Sequence, residues 1–172
     1  PRDRYRVEAF DILPDGTLAL YLEDRDDEIL VLDPNGRELL SVPQGIEAYT
    51  NRSDISVKIA IDAQRNVYLL GRFTNAVFAI DANGQLLNRI NSPDSGQTGA
   101  FTTASEILVD SLGRIYLNSF SNIMVYSQTG QLVTQINARG VPFGMFITPD
   151  GNLYTATNSR EVVRLLINDL SE

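Results

Sequence analysis

Two hairpin signals recur together along this chain, and their recurrence limits the fold more than any other feature of the sequence. The first occupies Phe10–Leu20, Ile59–Leu69, Ile107–Leu117 and Met145–Thr155. Each copy is an apolar run, a polar turn, then a polar residue, an apolar residue and usually tyrosine. The turn slot holds Gly16, Arg65, Gly113 and Gly151, so successive copies lie 49, 48 and 38 residues apart. The second signal follows the first three copies, at Ile29–Leu40, Val77–Leu87 and Ile123–Val133, with Asn-Gly or Thr-Gly at its turn. Glycine and asparagine tolerate the positive φ that tight hairpins demand. Periodic self-similarity of this length is the mark of a repeat architecture.

Each repeat therefore reads as strand, turn, strand, loop, strand, turn, strand. The spacing predicts strand A at Glu8–Leu13, Lys58–Asp62, Glu106–Val109 and Gly144–Ile147, and strand B at Thr17–Leu22, Asn66–Leu70, Arg114–Asn118 and Asn152–Ala156. Strand C follows at Glu28–Leu32, Ala76–Ile80, Ile123–Tyr126 and Val162–Leu166, and strand D at Glu38–Val42, Leu86–Ile90 and Leu132–Ile136. Strand A is short and almost wholly apolar, as expected of a strand covered on both faces. No segment sustains a 3.6-residue period, so helix should be minor. One four-stranded meander cannot bury both faces alone, whereas meanders stacked radially cover one another. The expected fold is all-β, a single β-propeller of four-stranded antiparallel blades at about 7–42, 57–90, 105–136 and 143–170. The last repeat lacks a second hairpin signal. Its fourth strand is either a degenerate Ile167–Leu170 or a segment from elsewhere, for which Tyr5–Val7 is a candidate. The expected setting is a longer propeller, or a chain whose open blade edges self-associate.

Composition narrows the chemistry. The 172 residues include neither cysteine nor histidine. Disulfides, thiolate and imidazole metal ligands, cysteine nucleophiles and every histidine-dependent triad are excluded. Carboxylates, amides and hydroxyls remain as metal ligands, which suits calcium or magnesium. The only lysine, Lys58, opens a strand and has no Ser-x-x-Lys spacing around it. A formal net charge of −8 argues against nucleic acid and against anionic membrane surfaces as partners. No apolar run approaches the ~20 residues of a spanning helix. Residues 1–30 carry no signal-peptide pattern, which a mature secreted chain would also lack.

The segment Ile59–Ile90 resembles the NHL repeat, through Ile-x-Ile-Asp, a turn, Val-Tyr and the following Asn-x-x-Phe-containing strand. That resemblance implies propellers, commonly six-bladed, that act as protein- or RNA-binding platforms or as extracytoplasmic sensors. The slots that often hold aspartate in the family are Gly71, Ser119 and Thr157 here. The segment Val141–Ala156 also resembles SMP-30/gluconolactonase-like propellers. In those lactonases an asparagine at this place binds the metal, and here the slot is Phe143.

Several side chains are candidates for function. The acidic run Glu23–Glu28 could hold calcium, but it lacks a calcium loop's glycine and alternating ligands and reads as a solvated loop. Asp15, Asp62, Asp110 and Asp150 recur beside the A–B turns, where short carboxylates bond the turn backbone. Arg72, Phe73, Phe101, Phe120, Arg139, Phe143 and Arg160 fall in predicted loops, where aromatics and arginines anchor partners or else plug the blade ends. The A–B and C–D connections share one rim, built of tight turns. The B–C and D–A connections share the other, built of longer loops, and all seven of these residues lie there. The expectation is a non-catalytic binding or sensor propeller that offers this loop-rich rim to a protein, peptide or glycan. No cofactor is expected. The alternative is a calcium-dependent hydrolase of the lactonase type.

Overall fold

The computed structural model describes residues 6–23, 27–148 and 150–167. They form four antiparallel sheets whose strands follow chain order without crossovers. The first contains β1 (Arg6–Ile12), β2 (Leu18–Glu23), β3 (Glu28–Leu32) and β4 (Glu38–Pro43). One helical turn, α1 (Glu47–Thr50), leads to β5 (Val57–Ile61), β6 (Val67–Gly71), β7 (Ala76–Ile80) and β8 (Leu86–Asn91). The third sheet contains β9 (Ala104–Val109), β10 (Ile115–Ser119), β11 (Asn122–Tyr126) and β12 (Leu132–Asn137). The last contains β13 (Pro142–Ile147), β14 (Asn152–Thr157) and β15 (Val162–Leu166). Every expected strand is present within a residue or two. Arg6 and Val7 pair with Glu23 and Leu22 of β2, so they extend strand A and are not the missing strand D. Of the other candidate, Ile167 is buried, and 168–170 lie outside the described residues, as do Tyr5 and 24–26 of the acidic run.

The chain divides into two compact units, Pro1–Ile90 and Asn91–Glu172, each holding two sheets. In the first unit, β5, β6 and β7 are buried along nearly their whole length, whereas β8 exposes most of its residues. The inner strands carry apolar residues on both faces because the sheet is covered on both. Tyr21, Ile29 and Val31 of the first blade pack with Ile59, Leu69 and Phe78 of the second into one core. Asp11 adds a polar link, its Oδ2 accepting the Ile61 N–H at 2.9 Å across the two sheets. In the second unit Tyr116, Ile123, Val125, Met145 and Leu153 form the corresponding core.

The turns show why the repeat takes the residues it does. Asp62 and Asp110 are buried in the A–B turns. The Asp62 carboxylate accepts the Asn66 N–H at 2.8 Å and the Tyr68 hydroxyl at 3.0 Å. Asp110 repeats this with the Arg114 N–H at 2.9 Å and the Tyr116 hydroxyl at 3.0 Å. The tyrosine of the repeat is thus tied to the aspartate six residues before it. Asp15 and Asp150 occupy a different turn position and are exposed. Leu13 and Thr148 stand where Asp62 and Asp110 do in the other copies. The four aspartates bond their own turns, as expected, but in two registers. Arg65 adopts φ 65° in the slot that glycine fills elsewhere, a conformation unfavourable to a side chain.

Candidate functional site

The loop-rich rim of the first unit is built on a buried carboxylate. Asp54, in the β4–β5 connection, is only 3% exposed. Its Oδ2 accepts the N–H groups of Phe73 at 3.0 Å and Thr74 at 2.8 Å, and its Oδ1 that of Ser56 at 3.1 Å. The Arg72 N–H reaches the Ser56 carbonyl at 3.0 Å. Three of these bonds fasten the β6–β7 turn to the loop before β5, and the Ser56 bond closes that loop on itself. Gly71 is required at the base of this clamp. A Cβ there would stand 2.8 Å from Asp54 Oδ2 and closer still to the Thr74 hydroxyl. The carboxylate that Gly71 admits comes from the neighbouring loop. At the matching ends of β10 and β14 stand hydroxyls, Ser119 reaching the loop before β9 and Thr157 its own turn. Ser119 Oγ lies 3.0 Å from Thr103 Oγ1, and Thr157 Oγ1 lies 2.6 Å from Ser159 Oγ.

Beside this clamp is a cleft of about 580 Å³ lined by Thr50, Arg52, Ser53, Phe73, Thr74 and Arg89. Phe73 is 67% exposed, with its backbone held by Asp54. The Thr50 hydroxyl is engaged by the Arg52 carbonyl at 2.7 Å, and the Thr74 hydroxyl by the Gly71 carbonyl at 3.2 Å. The Arg89 guanidinium stands over the buried Phe78 ring, 5.3 Å from its centre. Neither Arg52 nor Arg89 forms an ion pair with a carboxylate of the described residues. Close by, burial lifts the Tyr21 hydroxyl far above its ordinary range. It donates to Asp27 Oδ2 at 3.0 Å. Burial also raises Asp27, and the charges of Glu23, Glu47 and Asp54 add to this.

The expected anchors separate into different environments. Arg72 and Phe73 lie together in the β6–β7 turn, Arg72 with a guanidinium nitrogen 3.3 Å from Ser56 Oγ. In the second unit Phe120 and Arg160 sit in the β10–β11 and β14–β15 turns, both exposed and both at positive φ, 54° and 64°. Arg139 also has positive φ, in the β12–β13 loop. Asn158 joins that loop to the β14–β15 turn by exchanging two 3.0 Å bonds with Val141. Arg139 and Arg160 thus belong to tethered neighbouring loops. Phe143 is not in a loop. It is the extra residue of a bulge in β13, between Pro142 and Gly144, and is 73% exposed. Bulges re-aim side chains, and the same rim end of strand A is bulged at Glu8 and Ser105. Phe101 is not a surface anchor either. It is 1% exposed and lies edge-on to Tyr126, with ring centres 5.6 Å apart, so it plugs the third blade. Sequence reasoning passed over Arg52, Ser53, Asp54 and Arg89. Arg89 lay inside a predicted strand, whereas Asp54 and Arg52 stood in a long loop without a repeat partner.

A lactonase-type calcium site does not fit these residues. The position that would supply the asparagine is Phe143, which has no ligating atom. Glu23 pairs with Arg6 at 3.3 Å, and Glu28 accepts the Ser41 hydroxyl at 2.6 Å. No cluster of three or more carboxylates able to hold a metal occurs among the described residues.

No family model matches the chain, and no curated protein does. Solved structures share its architecture. Virginiamycin B lyase from Staphylococcus aureus, in complex with quinupristin, superposes with a TM-score of 0.62 at 17% identity, covering 98% of this chain and 58% of that one. A gluconolactonase from Xanthomonas campestris gives a TM-score of 0.60 at 14% identity, covering 90% and 56%. A computationally designed protein, Ika4, gives 0.62 at 13% identity, covering 96% and 94%. The chain thus spans under two thirds of the lyase and the gluconolactonase. At such identities the likeness establishes the fold alone, and that fold is the β-propeller.

Proposed function

We propose that this chain is a non-catalytic binding or sensor propeller domain that presents its loop-rich rim to a protein, peptide or glycan. The observation that carries this reading is the cleft beside the Asp54 clamp. It combines exposed guanidinium groups and an exposed aromatic ring with a backbone that is already fixed, which lowers the ordering cost of binding. The opposite rim supports the choice of face, because its aspartates are occupied by their own turns. The residue types favour binding over catalysis. There is no histidine or cysteine, and the single lysine lies in β5. The fold shared with a lyase and a gluconolactonase supplies a scaffold, and a scaffold does not specify chemistry.

The test is binding of the labelled protein to peptide and glycan arrays. Alanine at Arg72 and Phe73, or at Phe120 and Arg160, should remove the retained ligands while the melting temperature changes little, since surface changes of this kind usually cost within about 0.5 kcal/mol. Binding that survives these substitutions but is lost on changing the Asn35-Gly36 and Asn83-Gly84 turns would place the partner on the other face.

A further inference from the structure

We infer that the cleft of the first unit binds an acidic peptide, seating an anionic side chain between Arg52 and Arg89 and an apolar neighbour on Phe73. This rests on the binding reading above and names its ligand class. Three observations lead to it. First, the chain is acidic overall, with a formal charge of −8, yet the charged side chains lining the cleft are both arginines. Neither is neutralised by a carboxylate of the described residues. The nearby Asp54 carboxylate is occupied by three backbone N–H groups. Second, the charged groups of the cleft are donors only, and they are its main free donors. A guanidinium offers N–H groups and no acceptor, and the Thr50 and Thr74 hydroxyls already donate to backbone carbonyls. A carboxylate accepts from both guanidinium groups and pairs its charge with theirs, whereas a neutral sugar hydroxyl gains no ion pair there. Third, the guanidinium of Arg89 is held over the Phe78 ring, and stacking of this kind orients the planar fork. An exposed ring 67% open to solvent then offers an apolar platform beside the charge.

The probe is a capped hexapeptide of alternating glutamate and leucine, carrying a fluorophore. Two companions are used, one with glutamine for glutamate and one with phosphoserine. Fluorescence anisotropy against the full chain should show the glutamate peptide binding at least about tenfold more tightly than the glutamine peptide, as charge-assisted pairing implies. Added salt should weaken it. Arg52→Gln and Arg89→Gln should each weaken it by roughly fivefold or more, while Phe73→Ala should weaken the glutamate and glutamine peptides alike. A phosphoserine peptide that binds more tightly still would make phosphate the preferred anion of the same site. Equal binding of the glutamate and glutamine peptides, both lost in Phe73→Ala, would overturn the acidic preference and leave the binding rim standing. Failure of all three peptides up to about 1 mM, or unchanged affinity in both arginine variants, would overturn the inference.

Discussion

Replacing Asp54 with alanine should destabilise the first unit and loosen the rim in a way that separates it from an ordinary loop substitution. Asp54 carries the backbone N–H groups of Ser56, Phe73 and Thr74 on two oxygens. Alanine would leave all three without their acceptor, and a stranded buried donor costs about 1–3 kcal/mol. The bonds are only part-buried and Phe73 is open to water, so solvent recovers some of this. The expected loss is about 2–4 kcal/mol, a large share of the ~5–15 kcal/mol typical of a domain. Asparagine is the informative control. Its carbonyl can still serve Phe73 and Thr74, but its amide would oppose the Ser56 N–H, so about 1–2 kcal/mol should be lost. Urea denaturation followed by circular dichroism would show the midpoint falling at unchanged slope. Hydrogen exchange supplies the local reading, since the Phe73 and Thr74 amides should lose protection in the alanine variant and largely keep it in the asparagine variant. An alanine variant with unchanged midpoint and protected amides would refute the assignment of Asp54 as the clamp.

Three further outcomes follow from other parts of the chain. Asp110 and Arg114 form a buried 2.7 Å ion pair and Asp110 also accepts the Tyr116 hydroxyl, so Asp110→Ala should cost about 3–5 kcal/mol by removing one half of the buried pair, measured by the same denaturation. Backbone N–H groups, of Arg37 on Asp33 and of Gln85 on Asp81 foremost, hold these two half-buried carboxyls below the ordinary range. Their contribution is present above the unfolded-state value and is lost as pH falls through the folded one, so Asp33→Asn with Asp81→Asn should flatten the acid limb of a melting-temperature profile. Phe10 on β1 and Phe146 on β13 are 66% and 60% exposed, so the chain should self-associate, with a light-scattering mass above that of one chain that falls on Phe10→Glu with Phe146→Lys.

The strands were legible because two independent codes agree in this sequence. Alternating and continuous apolar runs mark the strands, and Asp-Gly, Asn-Gly or their equivalents mark the turns at fixed offsets. Where one code is missing the reading fails. After β15 no Asn-Gly or Thr-Gly turn follows Leu166, and Tyr5–Val7 looked like a spare strand although Arg6 and Val7 prolong β1 through a bulge. A bulge adds one residue to a strand without changing its composition, so no pattern announces it. The four turn aspartates looked equivalent for a related reason. Asp15 and Asp150 lie two positions beyond the slot of Asp62 and Asp110, and only the partner tyrosine reveals the difference. Asp62 and Asp110 each hold a tyrosine six residues on, whereas Asp15 is followed at that distance by Tyr21, whose hydroxyl bonds Asp27 instead.

The rim was legible as a place and only partly as a set of residues. Topology alone puts the short B–C turns and the D–A connections at one end of each blade, and the cleft lies there. What the sequence hides is which loop residues look outward. Phe101 and Phe73 are both aromatic residues in connections, yet one is sealed against Tyr126 and the other is held out by Asp54. The difference lies in tethers contributed from elsewhere in the chain. Ser92 Oγ accepts the Phe101 N–H at 2.8 Å and folds that loop inward, while Asp54 reaches across nineteen positions to fix the backbone of Phe73. Arg89 was hidden by the opposite error, because strand membership was read as burial. It sits on β8, the outermost and least covered strand of its sheet, where a side chain can be both regular in backbone and free in function. In the second and third blades the two middle strands are the covered ones and the last strand is open, so that last strand belongs with the loops when binding residues are sought.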